Sequence, residues 1–190
     1  MRTAIVLFTR DLRVHDNPAL ARACSEYDAV VPVFVVDNAL ATQAIGRSSA
    51  RRTFLEESLV DLDESLAERG AWLHVASGET VATVVALARQ TSAEAVICAR
   101  DVSPYATRRE AALAAAVPLR LVDSHFAVPA GEVAPAGNSH YQVFSAYHRA
   151  WEVLPLRAVA PTPDQVAVPD RKSTRLNSSH TDISRMPSSA

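Results

Sequence analysis

From Ala4 to Val122 short apolar runs alternate with stretches of helical character. That alternation predicts an α/β fold: a doubly wound, Rossmann-like parallel sheet of five strands with helices on both faces. Two observations sharpen it. The runs Ala4–Phe8 and Ala29–Val36 are apolar almost throughout, as strands covered on both faces must be. The intervening stretches are long enough for helical crossovers, which are right-handed, and this favours the strand order 3-2-1-4-5.

The elements follow in turn. Ala4–Phe8 is the first strand. Pro18–Cys24 is a short helix with proline in its first turn and Asn17 as N-cap. Ala29–Val36 is the second strand, with Pro32 awkward inside it. Residues 48–69 form a long helix in which Leu55, Leu59, Leu62 and Leu66 make one apolar stripe, and Gly70 ends it. Trp72–Ala76 is the third strand. Glu79–Gln90 is a helix capped by Ser77 or Gly78. Ala95–Ala99 is the fourth strand, Thr107–Ala116 an alanine-rich helix and Leu119–Val122 the fifth strand.

After Asp123 the pattern breaks. Residues 1–126 read as the α/β domain and 127–169 as an irregular connection, with Pro155, Pro161, Pro163 and Pro169 marking a linker. Tyr141–Trp151 is a short helix with aromatic anchors. Residues 170–190 hold six serines and no periodicity, and their charges sum to +2, leaving −4 on residues 1–169. This tail reads as a translated sequencing adapter, disordered and foreign to the fold.

Bulk properties narrow the function. The net charge of −2 gives no basic footprint for nucleic acid. No apolar run approaches the roughly 20 residues that a membrane span requires, and the start MRTAIVLF runs into a strand without a signal-peptide pattern. Cys24 and Cys98 fall inside a helix and a strand and read as reduced, buried thiols of a cytoplasmic monomer.

In the predicted order, the carboxyl ends of strands 1 and 4 border the crevice where α/β sheets bind ligands. The loop after strand 1 carries Arg10, Asp11, Arg13 and Asp16; the loop after strand 4 carries Arg100, Asp101 and Tyr105; the flanking loop after strand 2 adds Phe34 and Asp37. A planar polar ligand stacked on Tyr105 and read by Arg10 and Asp101 fits such a place. The other reading is that these charges pair among themselves or hold the linker. Arg10 and Asp101 are the ligand candidates; Arg13 and Asp16 are the structural ones.

Several chemistries find no support. The loop after strand 1 has no glycine, so a pyrophosphate cannot approach its backbone as in a dinucleotide fold. There is no Walker A motif. The six histidines show neither an i, i+4 pair nor a C-x-x-C companion, which argues against a metal site. Neither cysteine sits in a nucleophile motif.

Arg10-Asp11-Leu12-Arg13-Val14-His15-Asp16-Asn17-Pro18-Ala19-Leu20 resembles the opening RRDLRxxDNPAL of the DNA photolyase/cryptochrome family, with Thr9 where an arginine is common. Val33–Asp37 resembles the family's VFxxD strand, Arg51–Leu62 its leucine-rich helix, and Tyr141–Trp151 its YxVFTPFxRAW segment, with Ser145-Ala146 in place of Thr-Pro. The resemblance implies the amino-terminal domain that binds a light-harvesting antenna chromophore. It also implies that residues 127–169 lead toward a helical FAD domain missing from this chain, where light-driven repair of pyrimidine dimers in damaged DNA takes place. On that view the fragment binds no FAD, carries no catalytic residue, and exposes Tyr141, Phe144, Tyr147 and Trp151 to an absent partner. Asp101, standing where folate-binding members carry an Asn-Glu pair, favours an 8-hydroxy-deazaflavin over methenyltetrahydrofolate. Arg10, Phe34, Asp37, Arg51 and Asp101 are the carried-over chromophore positions, to which Tyr105 is added from its place in the loop. A cryptochrome-type photoreceptor and a free-standing nucleotide-binding module are the alternatives.

Overall fold

A computed structural model describes residues 1–38, 48–135, 137 and 140–169. The tail reading for 170–190 therefore lies outside the described residues. Strands β1 (Thr3–Phe8), β2 (Ala29–Asp37), β3 (His74–Gly78), β4 (Ala95–Ala99) and β5 (Leu119–Val122) form one sheet in the order β3-β2-β1-β4-β5. Every pairing is parallel: Ala4 lies opposite Val30 on one side and Ala95 on the other, and Phe8 lies opposite Phe34.

The period of two along each strand sorts the core into two layers. Ala4, Val6, Phe8, Val30, Phe34 and Ile97 point to one face. There they meet Leu20 and Ala23 of α1 (Pro18–Glu26) and Leu59, Leu62 and Leu66 of α2 (Ser49–Ala67). Ile5, Leu7, Val31, Val33, Val35, Val96 and Cys98 point to the other, against Val84, Leu87 and Ala88 of α3 (Thr80–Thr91) and Leu113 of α4 (Pro104–Ala116). Leu55 is only partly buried at the edge of the first layer. Cys24 and Cys98 are free thiols, and burial pushes them up to about 11 and about 12.

Local signals explain most boundaries. Asn17 caps α1 by accepting from the Leu20 N–H. Gly70, at φ +82, takes the left-handed turn that ends α2. Several boundaries depart from expectation: α1 runs on to Glu26 and the helix expected from Tyr141 begins at Phe144, while three others have a visible cause. β3 begins two residues later than Trp72, because Leu73 is held outside the strand by its N–H bond to Asp63 Oδ1 at 2.7 Å. The cap of α3 is Glu79, whose carboxylate accepts from the N–H groups of Val81 and Ala82, rather than Ser77 or Gly78. α4 starts at Pro104, capped by the Ser103 hydroxyl, so Tyr105 belongs to a helix turn and not to a loop.

Residues 157–169 are not a free linker. Val166 is fully buried in the first core layer and Val168 packs beside it. The Val166 N–H bonds the Arg69 carbonyl at 2.8 Å, and the Ala167 carbonyl accepts from the Val30 N–H at 2.7 Å. β3 begins only at the level of Val33, so the corner of β2 around Val30 lacks a strand partner, and this strap fills it. The same notch explains Pro32. Its missing N–H faces the same side as that of Val30, below the first β3 pairing, where no ladder bond is lost.

Among the described residues between β5 and the strap, the one regular element is α5 (Phe144–Glu152), which has no buried residue. Among the described residues no helix is long and apolar enough to cross a membrane.

Candidate functional site

The loop after β1 divides its charges between structure and surface. Asp11 is buried; its carboxylate accepts from the Thr9 N–H and the Ser124 hydroxyl. Arg13 donates to the carbonyls of Asp16 and Ser124. Asn17 donates from Nδ2 to the carbonyls of Asp11 and Arg13 while its Oδ1 caps α1. Asp16 has φ +46, a left-handed turn that aspartate tolerates better than most residues. Its carboxylate is gripped by Arg157 and by the Ala160 N–H. These four residues hold the loop in shape, and of its charges only Arg10 turns outward.

Arg10 is 66% exposed, yet its Nε lies 3.0 Å from Asp101 Oδ2, and the Asp101 side chain is buried. The two residues placed at the crevice by topology are therefore in direct contact. Asp101 Oδ1 accepts from the Ser103 N–H at 2.9 Å, closing a small turn that leads into α4. The Asp101 N–H donates to Glu110 Oε1 at 3.1 Å. Burial works to raise the Asp101 carboxyl. The Ser103 and Val102 N–H groups and the charges of Arg10 and His125 outweigh it, so the carboxyl lies below its ordinary value. The result is a buried, ionised acceptor beyond the carboxyl end of β4, with an exposed donor from the loop after β1 beside it.

A second knot forms on the α3/α4 side. Asp37 Oδ2 accepts from the Thr80 N–H at 3.1 Å, the Thr80 hydroxyl at 2.5 Å and the Tyr105 hydroxyl at 2.7 Å. One carboxylate thus ties the end of β2 to the first turns of α3 and α4. Burial, followed by the neighbouring Asp37, raises the Tyr105 phenol above its ordinary value. The Arg109 guanidinium lies 5.7 Å from the centre of the Tyr105 ring.

The six expected positions do not form one cluster. Arg10 meets Asp101, and Asp37 meets Tyr105. Phe34 is buried in the first core layer, on the face of β2 opposite to Val33 and Val35. Arg51 is exposed in the first turn of α2, where its N–H meets the Ser48 hydroxyl. Sequence reasoning missed Thr80, Glu110, Ser124 and Arg157. Of these, Glu110 alone carries a local signal: it is an acid on the inward stripe of α4, with Ala106 and Leu113.

Farther along, α5 presents an unburied aromatic ladder. Phe144 is 75% exposed. The Phe144 and His148 rings lie 5.7 Å apart, His148 and Trp151 6.3 Å, and Tyr141 and Tyr147 6.1 Å.

The sequence profile of the DNA photolyase family matches residues 4–166, which takes in the sheet, the crevice, α5 and most of the strap. The chain belongs to the DNA photolyase family. It is 38% identical over 177 residues to a deoxyribodipyrimidine photo-lyase of Streptomyces griseus, a match covering 90% of this chain and 39% of the relative. It is 36% identical over 121 residues to a cryptochrome DASH of Natronomonas pharaonis, covering 62% of this chain and 26% of that protein. Among solved structures, a class III photolyase of Agrobacterium tumefaciens superposes with a TM-score of 0.79 at 26% identity, covering 89% of this chain and 36% of that one. Photolyase and cryptochrome relatives thus share this fold. The chain spans about two fifths of the length of the Streptomyces relative.

Proposed function

We propose that residues 1–169 are the antenna-binding part of a light-driven DNA photolyase that repairs pyrimidine dimers. In this reading the crevice between β1 and β4 holds the light-harvesting chromophore. The observation that carries it is the Arg10–Asp101 pair. An exposed guanidinium beside a buried, ionised carboxylate complements a heterocycle edge that offers a ring N–H next to a carbonyl. Asp101 would accept from such an N–H and Arg10 would donate to the carbonyl in place of its present contact with Asp101. An 8-hydroxy-deazaflavin has such an edge, as does the pterin of methenyltetrahydrofolate; the deazaflavin is preferred because Asp101-Val102 stands where folate-binding members of the family carry an Asn-Glu pair. Asp37 and Tyr105 set the far wall. The separate places of Phe34 and Arg51 make them contributors from the α2 side.

FAD lies outside this chain in the same reading, in a helical domain that meets the aromatic face of α5. When bound there, the flavin supplies the photochemical electron transfer to damaged DNA. The residues of this chain gather light energy and perform no bond chemistry, so the chain alone repairs nothing.

The test is a fluorescence titration of the purified protein with 8-hydroxy-deazaflavin. Asp101→Ala should weaken binding by roughly 1–3 kcal/mol, the loss of a hydrogen bond to a charged group. Equal affinity of both proteins would refute the site. The likeness to cryptochrome DASH favours a second reading, a blue-light photoreceptor. Light-dependent repair of a dimer-containing oligonucleotide by the complete protein separates the two. A complete gene product without a flavin domain would instead mark a free-standing nucleotide-binding module.

A further inference from the structure

Glu110 stands out among the acids of this chain because it is buried and lies on the apolar stripe of α4, one helical turn from both Ala106 and Leu113. Acids are almost never fully buried without a partner. Its carboxylate has two neighbours. Oε1 accepts the Asp101 N–H at 3.1 Å, and Arg109 Nη2 lies 3.8 Å away, an ionic rather than a hydrogen-bonding distance. The Arg109 side chain is itself nine-tenths buried, and its Nε and Nη2 find no hydrogen-bond partner among the described residues.

We infer that Glu110 is a positioning residue: through the Asp101 backbone N–H it fixes the turn that aims the Asp101 carboxylate at Arg10. The geometry leaves it this role and no direct contact with a ligand. Three of the contacts of Asp101 have different consequences. Its N–H points down to Glu110, Oδ1 closes the Ser103 turn, and Oδ2 faces Arg10. The second ties the residue to Ser103, the cap of α4, whereas the first reaches past the cap into the body of the helix. Without the first, the four-residue link between β4 and α4 keeps its turn but loses its bearing. Arg109 extends the same device sideways. It lies over the Tyr105 ring as well as beside Glu110, so the two knots of the crevice share one buried cation.

This inference rests on the antenna reading for its purpose but not for its test. The direct readout is amide hydrogen exchange of the full chain with no chromophore added. Glu110→Ala should speed exchange at the Asp101 amide by about tenfold or more while the β1 and β4 core amides keep their protection. Glu110→Gln retains an acceptor oxygen of the same reach and should restore most of that protection. An Asp101 amide unchanged in Glu110→Ala overturns the inference. So does a uniform acceleration across the sheet in both variants, because that describes a residue of the core and not of the turn. A second arm titrates 8-hydroxy-deazaflavin into the same proteins. About tenfold weaker binding to Glu110→Ala, with Glu110→Gln close to the parent, joins positioning to ligand recognition. A parent protein that binds no deazaflavin sinks the antenna reading and leaves the exchange result standing on its own.

Discussion

Arg157 grips Asp16, 141 residues earlier in the chain, with both arms of its guanidinium, Nη1 to Oδ1 at 2.7 Å and Nη2 to Oδ2 at 2.5 Å. The clamp fastens the start of the strap to the loop that bears Arg10. Hydrogen bonding to Arg157, helped by the Ala160 N–H, lowers the Asp16 carboxyl to about 2 from an ordinary 3.8. Because the folded value is depressed, the stabilisation is fully present above the ordinary value and disappears as pH falls through the folded one. Arg157→Ala should cost roughly 1–2 kcal/mol at neutral pH, a charged hydrogen bond discounted for partial exposure. Urea unfolding of parent and variant should show that gap intact at pH 5 and nearly closed at pH 2.

Ending the chain at Phe126 should damage the α/β domain itself. The cut removes buried Val166, worth about 1.5–3 kcal/mol on area alone, and two backbone hydrogen bonds, at Val30 and at Arg69. We expect a chain ending at residue 126 to unfold at markedly lower urea than one ending at 169. Identical midpoints would return residues 157–169 to the status of a linker.

Leu59 and Phe54 sit on the same helix with opposite fates. Leu59 is wholly buried and Phe54 is 71% exposed. Leu59→Ala should cost about 2–5 kcal/mol, transfer plus cavity; Phe54→Ala should stay within roughly 0.5 kcal/mol. Thermal or chemical melts of the two variants decide it.

Tyr105 should ionise later than a free tyrosine, since burial and Asp37 both oppose a phenolate. In a difference ultraviolet titration, Tyr105→Phe should remove the last-titrating phenol. Loss of the earliest one instead would mean that the Asp37 bond does not form in solution.

The aromatic face of α5 should bind a hydrophobic dye. Phe144→Ser should reduce that fluorescence without shifting the unfolding midpoint, because no residue of α5 is buried. A drop in stability would show that the helix packs on the sheet after all.

The architecture was legible because strands covered on both faces leave uninterrupted apolar runs, and those runs locate β1, β2, β4 and β5 within a residue or two. β3 slipped because Trp72 and Leu73 are as apolar as a strand, while the decisive fact is a hydrogen bond from Leu73 to Asp63. Arg10 and Asp101 were foreseeable as a pair, since strand order alone makes their loops neighbours. That Phe34 and Asp37 take opposite faces of β2 also follows from counting: they are three positions apart on a strand whose side chains alternate. Arg157 had no such signal. Its partner lies at the other end of the domain, and a proline-rich segment has no periodicity to reveal what it touches.

The corner closed by Ala167 bears on how this protein is made. A ribosome releases the five strands before it releases the strap. Until Val166 and Ala167 emerge, the Val30 amide has no acceptor and the flank of the leucine layer stands open to water. A nascent chain caught at that stage carries an unprotected sheet margin, the kind of surface that other chains and chaperones seize.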